Sequence, residues 1–168
     1  MLEHCLNCHG KLHKQATERI RHVAGHAFTA ELPAQVCPSC DETYLADDVV
    51  AEFDLLVAVS LAEAGVADHD ALKFMRKVCG LNGKEFAELL EVRPETVSRW
   101  EQGKRPIDRS RYAVLRQLLS DRMHGSTATA DYLRSLRKPK RLPKRVKMTI
   151  PHAALLSRSL PLIRARVR

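Results

Sequence analysis

The feature that most constrains the fold is a pair of cysteine motifs in the first 40 residues. Cys5-Leu-Asn-Cys8 and Cys37-Pro-Ser-Cys40 share the C-x2-C spacing, and 28 residues lie between them. Two such turns can each point two thiolates at one centre, and four thiolates complete the tetrahedral shell of a zinc ion. Four protein ligands leave no coordination position for water or substrate, so the spacing predicts one structural zinc (Zn2+) per chain. The predicted ligands are Cys5, Cys8, Cys37 and Cys40.

Two other interpretations of these cysteines stay open. A redox C-x-x-C pair normally needs one motif and a βαβ context, which this segment lacks, and structural disulfides are the third interpretation. His4 and His9 flank the first motif and could replace a cysteine, although exposed positions are the simpler interpretation for both. The fifth cysteine, Cys79, is predicted to be a small core residue on the apolar side of a helix.

The charge of the chain is distributed unevenly. Residues 1–67 contain 4 Lys/Arg and 10 Asp/Glu, a net charge of −6, whereas residues 68–119 carry +3 and residues 120–168 carry +11. A basic half favours nucleic acid as partner, because neutralising phosphates releases condensed counterions. The acidic part suits a different partner, one with a basic surface.

The cellular location follows from what the sequence lacks. It has no run of 18 or more uncharged apolar residues, so no transmembrane helix and no membrane partner are expected. Its first residues also lack the apolar stretch of a secretory signal. We therefore expect a cytoplasmic protein, associated with the bacterial nucleoid, whose thiols stay reduced unless a metal holds them.

Local patterns predict a short strand pair followed by helices. Phe28–Leu32 alternates apolar and polar residues, which predicts a strand ending at Pro33, with Thr17–Val23 as its partner and Gly25 in the turn. A helix capped by Asp47 or Asp48 should then run to Gly65. Its predicted apolar stripe is Val49, Val50, Phe53, Leu56, Val57, Leu61 and Ala64.

Four more helices are expected at about 69–79, 83–90, 94–102 and 109–121. Asp68 and Asp108 are predicted caps, and Pro94 suits a first helical turn. The fold class is therefore α+β, with a small zinc-ribbon-like N-terminal domain and an all-α helix-turn-helix C-terminal domain. We place a zinc-binding domain with its linking helix at 1–66, the helix-turn-helix domain at 67–122, and a basic, partly disordered tail at 123–168.

The stretch GLNGKEFAELLEVRPETVSRWEQGKRP (80–106) carries the most specific pattern in the chain. Phe86, Leu89 and Leu90 give a short helix one apolar face, and Val97 and Trp100 do the same for the next helix. Six polar residues of the second helix and its start are left pointing outward, a strip that suits a DNA major groove. They are Arg93, Glu95, Thr96, Ser98, Arg99 and Gln102.

This stretch resembles the Cro/repressor-type (XRE) helix-turn-helix domain, through Gly80, Leu81, Ala87–Leu90, Val92, Thr96–Glu101, Gly103, Arg105 and Pro106. The resemblance implies an all-helical domain that binds a palindromic double-stranded DNA operator as a homodimer. Two positions depart from the pattern. Gly83 stands where many relatives have a DNA-contacting Gln, and Glu91 stands where a turn Gly is common, which suggests an altered turn.

The predicted DNA-binding residues are Arg93, Glu95, Thr96, Ser98, Arg99, Lys104 and Arg105. Arg99 is the expected base contact, because Arg can bind guanine with two hydrogen bonds. A phosphate contact, or an ion pair with Glu95 one turn earlier, is the alternative. Lys104, Arg105 and also Arg109 follow the recognition helix and are expected to contact phosphates.

The order of paired cysteine motifs, linking helix and helix-turn-helix is similar to that of the MqsA-type antitoxins, whose zinc segment is called YgiT-type. The resemblance covers about residues 1–120. It implies structural zinc on the four cysteines, an N-terminal domain that neutralises a toxin ribonuclease, and a C-terminal domain that dimerises and represses its operon. The family's DNA-reading Arg matches Arg99, whereas its Asn position carries Glu95, so the operator should differ.

The sequence thus predicts a DNA-binding transcriptional repressor rather than an enzyme, with an antitoxin role implied by the resemblance. Three alternatives remain: a helix-turn-helix regulator without a toxin, an adaptor whose helical domain binds another protein, and a thiol redox enzyme. The basic tail, residues 123–168, could be a solvated chain or an additional phosphate-binding segment.

Overall fold

The computed structural model describes residues 3–138 and 141–148. The chain divides into two units, residues 1–137 and residues 138–168. All helices and strands of the described residues lie in the first unit. In the second unit, Lys138 and residues 141–148 are exposed and form neither helix nor strand. The predicted tail, 123–168, lies partly outside the described residues.

The N-terminal part is a three-stranded antiparallel sheet in the order β1-β2-β3, formed by β1 (His13–Val23), β2 (His26–Val36) and β3 (Thr43–Leu45). The β1–β2 hairpin turns at Ala24 and Gly25, which both have positive φ, 50° and 77°. A two-residue turn of this kind matches the right-handed twist of the strands, and it confirms the predicted position of Gly25.

Both strands of the hairpin are longer than predicted, and the prediction that β2 ends at Pro33 is wrong. Pro33 lies within β2 opposite Ala16. On the other side of β2, the short strand β3 pairs only with Ala34 to Val36. Pro33 is therefore just beyond the end of that ladder, where a strand tolerates a residue without an N–H.

Six helices follow the sheet. They are α1 (Asp47–Glu63), α2 (His69–Val78), α3 (Gly83–Leu89), α4 (Pro94–Glu101), α5 (Arg109–Met123) and α6 (Ala128–Leu136). The first five agree with the prediction within two residues at each end, and α6 was not predicted. The α+β class is confirmed as a small antiparallel sheet followed by a helical region.

The helix ends show which side chains satisfy the free backbone groups. Asp68 accepts a hydrogen bond from the N–H of Asp70 (2.8 Å), and Asp108 accepts one from the N–H of Arg111 (3.0 Å), so both predicted caps are confirmed. The predicted cap of α1 is wrong, because Ala46 occupies that position and has no side-chain acceptor. Asp47 and Asp48 lie in the first turn instead, where a negative charge favours the helix dipole.

Helix α1 packs against both the sheet and the other helices. Phe53, Val57 and Leu61 are buried in one continuous core that also contains Val23 and Leu32 of the hairpin and residues of α2 to α5. Leu56 of the predicted stripe is 51% exposed, because the inward face includes Ala58 and Ala62 instead.

Two polar contacts reinforce this arrangement. Arg21 of β1 makes two hydrogen bonds, 2.7 and 2.8 Å, to the carboxylate of Asp54 in α1, and its guanidinium lies over the ring of Phe74 in α2. The hydroxyl of Tyr112 in α5 donates to carbonyl groups at the end of α1, the nearest being that of Val66 at 3.1 Å. The sheet is thus attached to the helices by α1, and the domain boundary at 66/67 stays a proposal.

No helix in the part of the chain described by the structure is long and apolar enough to cross a membrane.

Candidate metal centre and nucleic-acid interface

The two C-x2-C motifs form loops with the same backbone hydrogen bonds. The N–H of Cys5 donates to the carbonyl of Gly10 (2.8 Å), and the N–H of His9 donates to the carbonyl of Cys5 (3.0 Å). In the second loop, Cys37 and Asp41 repeat this pattern at 2.9 and 2.8 Å. His9 and Asp41 both have φ of 58°. Each loop therefore folds back at the same position and turns its two thiols to one side.

The four sulfur atoms meet at one point between the loops. All lie within 4.8 Å of one another, and the closest distances are 3.5 Å between Cys5 and Cys40 and 3.4 Å between Cys8 and Cys37. Zn–S bonds of about 2.3 Å in a tetrahedron place the sulfurs about 3.8 Å apart. A disulfide would need about 2.05 Å. The donor set therefore fits a four-coordinate zinc ion and not a bridge between the loops.

When no cation is present, the thiols of the cluster have different pKa values. The Tyr44 hydroxyl, through its hydrogen bond to Sγ, is the largest cause that lowers the pKa of Cys5 to about 6. At Cys40, the N–H of Glu42 lowers the pKa, but Cys8 and the other cysteines outweigh it and raise the pKa to about 12. Neighbouring thiolates repel one another, so a bound cation would be needed to keep all four deprotonated.

Two residues around the cysteines were not predicted from the sequence. Tyr44 of β3 accepts the N–H of Leu6 (3.0 Å) and contacts Sγ of Cys5 (3.3 Å), which orients the first loop. A Cβ added to Gly10 would lie 3.1 Å from Oγ of Ser39 and 3.3 Å from Sγ of both Cys8 and Cys37, so a larger residue here would crowd the two loops. The pattern CxxCxG contained this information, although spacing alone does not show what glycine must avoid.

The histidines that flank the first motif do not join the cluster. Among the described residues, the group that surrounds this point contains only the four cysteines, and His4 and His9 are exposed. Cys79, by contrast, is half-buried against the main core at the end of α2, and burial raises the pKa of its thiol to about 12. Its predicted role as a packing residue agrees with this position.

Helices α3 and α4 form the helix-turn-helix motif. Asn82 and Glu85 make a reciprocal cap at the start of α3, with hydrogen bonds of 2.8 and 2.9 Å. The turn to α4 passes through Glu91, whose φ is 53°. This is the left-handed conformation that favours glycine, so Glu91 adopts it at a conformational cost of roughly 1–2 kcal/mol.

A buried ion pair holds the end of α4 against α2. The guanidinium of Arg76 donates to both carboxylate oxygens of Glu101 and to the carbonyl of Leu81. The side chains of Arg76 and Glu101 are only 8% and 13% exposed. Sequence patterns did not identify this pair, because a charged residue on the inner face of α2 looks like an interruption of the apolar stripe.

The exposed side of α4 carries most of the predicted DNA-binding residues. Arg93, Glu95, Ser98 and Arg99 are exposed, whereas Thr96 is half-buried. Ser98 accepts a hydrogen bond from the amide of Gln102 (2.9 Å). Among the described residues, the side chain of Arg99 makes no ion pair or hydrogen bond, so the possible pair with Glu95 is not formed and the guanidinium is available to a ligand.

Lys104 and Arg105 continue this surface beyond the end of α4. Their backbone N–H groups donate to the carbonyl of Arg99 (2.9 and 3.3 Å), which folds the chain back at Gly103. Both side chains are exposed, as is that of Arg109 at the start of α5. Four cationic side chains, counting Arg99, thus lie on α4, on the loop that follows it and at the start of α5.

Comparison with known families agrees with this geometry. Residues 72–115 match the sequence model of a helix-turn-helix family of the XRE type. The matched segment contains α3, α4, most of α2 and the first half of α5, and it supports a DNA-binding transcription regulator. Such regulators are generally not enzymes. No curated protein matches the chain.

Proposed function

We propose that this protein is a homodimeric, sequence-specific DNA-binding repressor whose N-terminal sheet is held by a structural zinc ion. The observation that carries the proposal is the exposed face of α4, on which Arg99 has no partner among the described residues while Val97 and Trp100 anchor the opposite face in the core. Helices of this kind enter the major groove and present side chains to base edges. A palindromic operator would match the two-fold symmetry of a dimer.

The predicted DNA-binding residues fall into two groups, those whose side chains suit contacts with bases and those that suit contacts with phosphates. Arg99 can donate two hydrogen bonds to a guanine, and Glu95 can accept one from a cytosine amino group. Ser98, held by Gln102, and Thr96 offer hydroxyls that can contact a base or a phosphate. Arg93, Lys104 and Arg105 are placed at the ends of α4, where phosphate contacts would set the register of the helix on the duplex.

Zinc would have a structural role. When bound, it supplies a cross-link between the two loops, and Cys5, Cys8, Cys37 and Cys40 are the residues that would hold it. The second hydrophobic cluster, next to these loops, contains few buried residues, namely Cys5, Leu12 and Cys37. So small a core contributes little stability by itself, which supports a metal at this end of the sheet.

Replacing Arg99 by Ala should weaken operator binding by about 1–3 kcal/mol per half-site and relax the preference at one base pair of each half-site. The reason is the loss of a two-hydrogen-bond contact to a guanine. Titration of the protein's own upstream DNA, and of variants with single base-pair changes, measures both effects. Arg116→Ala is the matched control, since Arg116 is an exposed arginine of α5 away from α4.

Other outcomes separate the remaining functions. If Arg99→Ala lowers affinity equally for all sequences, Arg99 is a phosphate contact and another residue reads the operator. If the unmodified protein gives no specific shift with its upstream DNA, the adaptor that binds another protein through its helices becomes the better explanation.

An antitoxin role is supported by the acidic surface near the start of α1. Residues 22–72 contain 10 Asp/Glu and no Lys or Arg. Five of these carboxylates are exposed in the loop before β3 and in the first two turns of α1, and they are Asp41, Glu42, Asp47, Asp48 and Glu52. A basic ribonuclease toxin would be attracted to such a surface. The order of zinc segment and helix-turn-helix also resembles that of the MqsA-type antitoxins.

We expect Asp47→Asn/Glu52→Gln to slow association with a basic protein encoded beside this gene, by about 10-fold at low salt, because steering depends on these charges. Stopped-flow mixing measures the rate. Glu88→Gln/Glu91→Gln removes the same charge from exposed positions in and just after α3 and should leave the rate unchanged. If both variants behave alike, or if the neighbouring protein does not bind, the protein is a regulator without a toxin.

A further inference from the structure

The end of the chain has an extreme charge composition that the proposed function does not use. After Asp131, the remaining 37 residues contain 12 Lys/Arg and no Asp or Glu. Within this stretch the structure describes five cations beyond the first unit, which we call the basic segment. They are Lys138, Arg141, Lys144, Arg145 and Lys147.

All five side chains of the basic segment are exposed. Among the described residues, none of them makes an ion pair or a hydrogen bond with a carboxylate. Pro143 lies between them, and a proline disfavours a continuous helix or a central strand. Exposed, unpaired cations at this density can neutralise the phosphates of a nucleic acid.

The first unit ends next to the DNA-binding motif. Arg137, its last residue, and Leu133 and Arg134 of α6 line a small cavity of about 110 Å³ together with residues of α3 and the loop before it. Those residues are Leu81, Glu85, Glu88 and Leu89. In helix-turn-helix complexes the first helix of the motif, here α3, crosses the phosphate backbone. The chain therefore leaves the first unit beside the helix that would lie nearest the phosphates.

We infer that the basic segment is a second DNA-binding element, which contacts phosphates beside the half-site bound by α4 and reads no bases. Ten extended residues reach about 33 Å, which is close to one turn of duplex DNA. The segment would therefore lengthen the bound site and raise affinity for any duplex by the same factor. The inference rests on the proposed function for its position, but not for its phosphate chemistry.

The test compares two triple variants with equal loss of charge. One is Arg141→Gln/Lys144→Gln/Arg145→Gln in the basic segment. The control is Lys11→Gln/Lys14→Gln/Arg19→Gln, which removes three exposed cations at and near β1. The slope of log Kobs against log salt concentration is measured for the operator and for an unrelated duplex of the same length.

Three lost phosphate contacts per chain, six per dimer, should make the slope less steep by about 5.4 on both duplexes, so that the fall in affinity between about 50 and about 200 mM salt becomes about 1,800-fold smaller. The control variant should keep the original slope, and the operator preference should stay unchanged in both. A hydroxyl-radical footprint should shorten at its outer edges only in the first variant.

Several results would overturn the inference. An unchanged slope in the first variant would make the segment a solvated chain, and equal changes in both variants would make the effect one of net charge. A lost operator preference would show base reading, and a larger loss on single-stranded RNA than on duplex DNA would indicate a different nucleic acid. Because the unrelated duplex needs no operator, these outcomes are separate from failure of Arg99 as a base reader.

Discussion

Removal of zinc by a strong chelator should unfold the two cysteine loops while the helical region stays folded. The proposed ion would hold the loops together because little else is buried there: Leu12 is the only non-cysteine side chain of the second hydrophobic cluster among the described residues that is buried. Structural zinc sites in small peptides contribute about 10–16 kcal/mol of apparent binding free energy, far more than this cluster can supply. Hydrogen exchange should show loss of amide protection in residues 5–11 and 37–43.

The hairpin end of the sheet should respond much less. Val23 and Leu32 are buried in the main core, and Arg21 is paired with Asp54, so that end is held by the helices. Amides of α2 and α5 should keep their protection after chelation. We therefore expect amide protection to be lost at the cysteine end of the sheet and kept at the hairpin end, rather than lost throughout the protein.

Single substitutions provide a matched comparison for the zinc prediction. Cys37→Ala should lower the metal content below one zinc per chain and reproduce the loss of protection, because three thiolates bind the ion less tightly. Cys79→Ala removes the one cysteine outside the cluster and should leave the metal content unchanged. A protein that binds no zinc and whose thiols titrate as a redox couple would instead support the thiol redox interpretation.

The second large effect concerns the ion pair between Arg76 and Glu101. Replacing Arg76 by Met should cost about 3–5 kcal/mol of unfolding free energy, because the carboxylate of Glu101 and the carbonyl of Leu81 then lose their buried partner. Small domains have only about 5–15 kcal/mol in total, so the variant should be close to unfolding at ambient temperature. Urea denaturation followed by circular dichroism measures the loss.

Two further variants identify the cause of that loss. Arg76→Met/Glu101→Leu replaces the whole pair by apolar groups and should recover most of the stability, since well-packed apolar residues often substitute for buried ion pairs without cost. Arg134→Met breaks an exposed pair with Asp131 and should change stability by about 0–1 kcal/mol. If the single and double variants lose the same amount of unfolding free energy, packing around Arg76 rather than its charge is responsible for the loss.

The elements predicted best are those that a local rule determines. Asp68 and Asp108 are recognisable as helix caps from their own neighbourhood, and Pro94 marks the start of α4. The C-x2-C spacing likewise predicted that four cysteines would meet, which the structure confirms. The identity of the metal and the DNA-binding residues stay predictions.

The features that were missed depend on residues far apart in the chain. Arg76 and Glu101 are 25 positions apart, and neither position shows from local periodicity that the charges will be buried together. Helix α6 lies in a segment whose basic composition suggested disorder, yet Leu133 packs against the main core and Asp121 accepts a hydrogen bond from the N–H of Thr129 near its start (2.7 Å). Tertiary contacts, which local sequence patterns do not show, determine both the burial of this ion pair and the formation of α6.

The shared helix α1 has a geometric consequence. Because its buried face belongs to the same core as Val23 of the hairpin and Leu115 of α5, the sheet cannot swing freely about a linker. Any molecule bound to the acidic surface at the start of α1 would therefore sit at a constant angle and distance from the groove that α4 is proposed to enter. Whether that molecule blocks DNA binding would depend on whether it clashes sterically with the duplex. The size of the partner, more than its affinity, would therefore determine its effect on DNA binding.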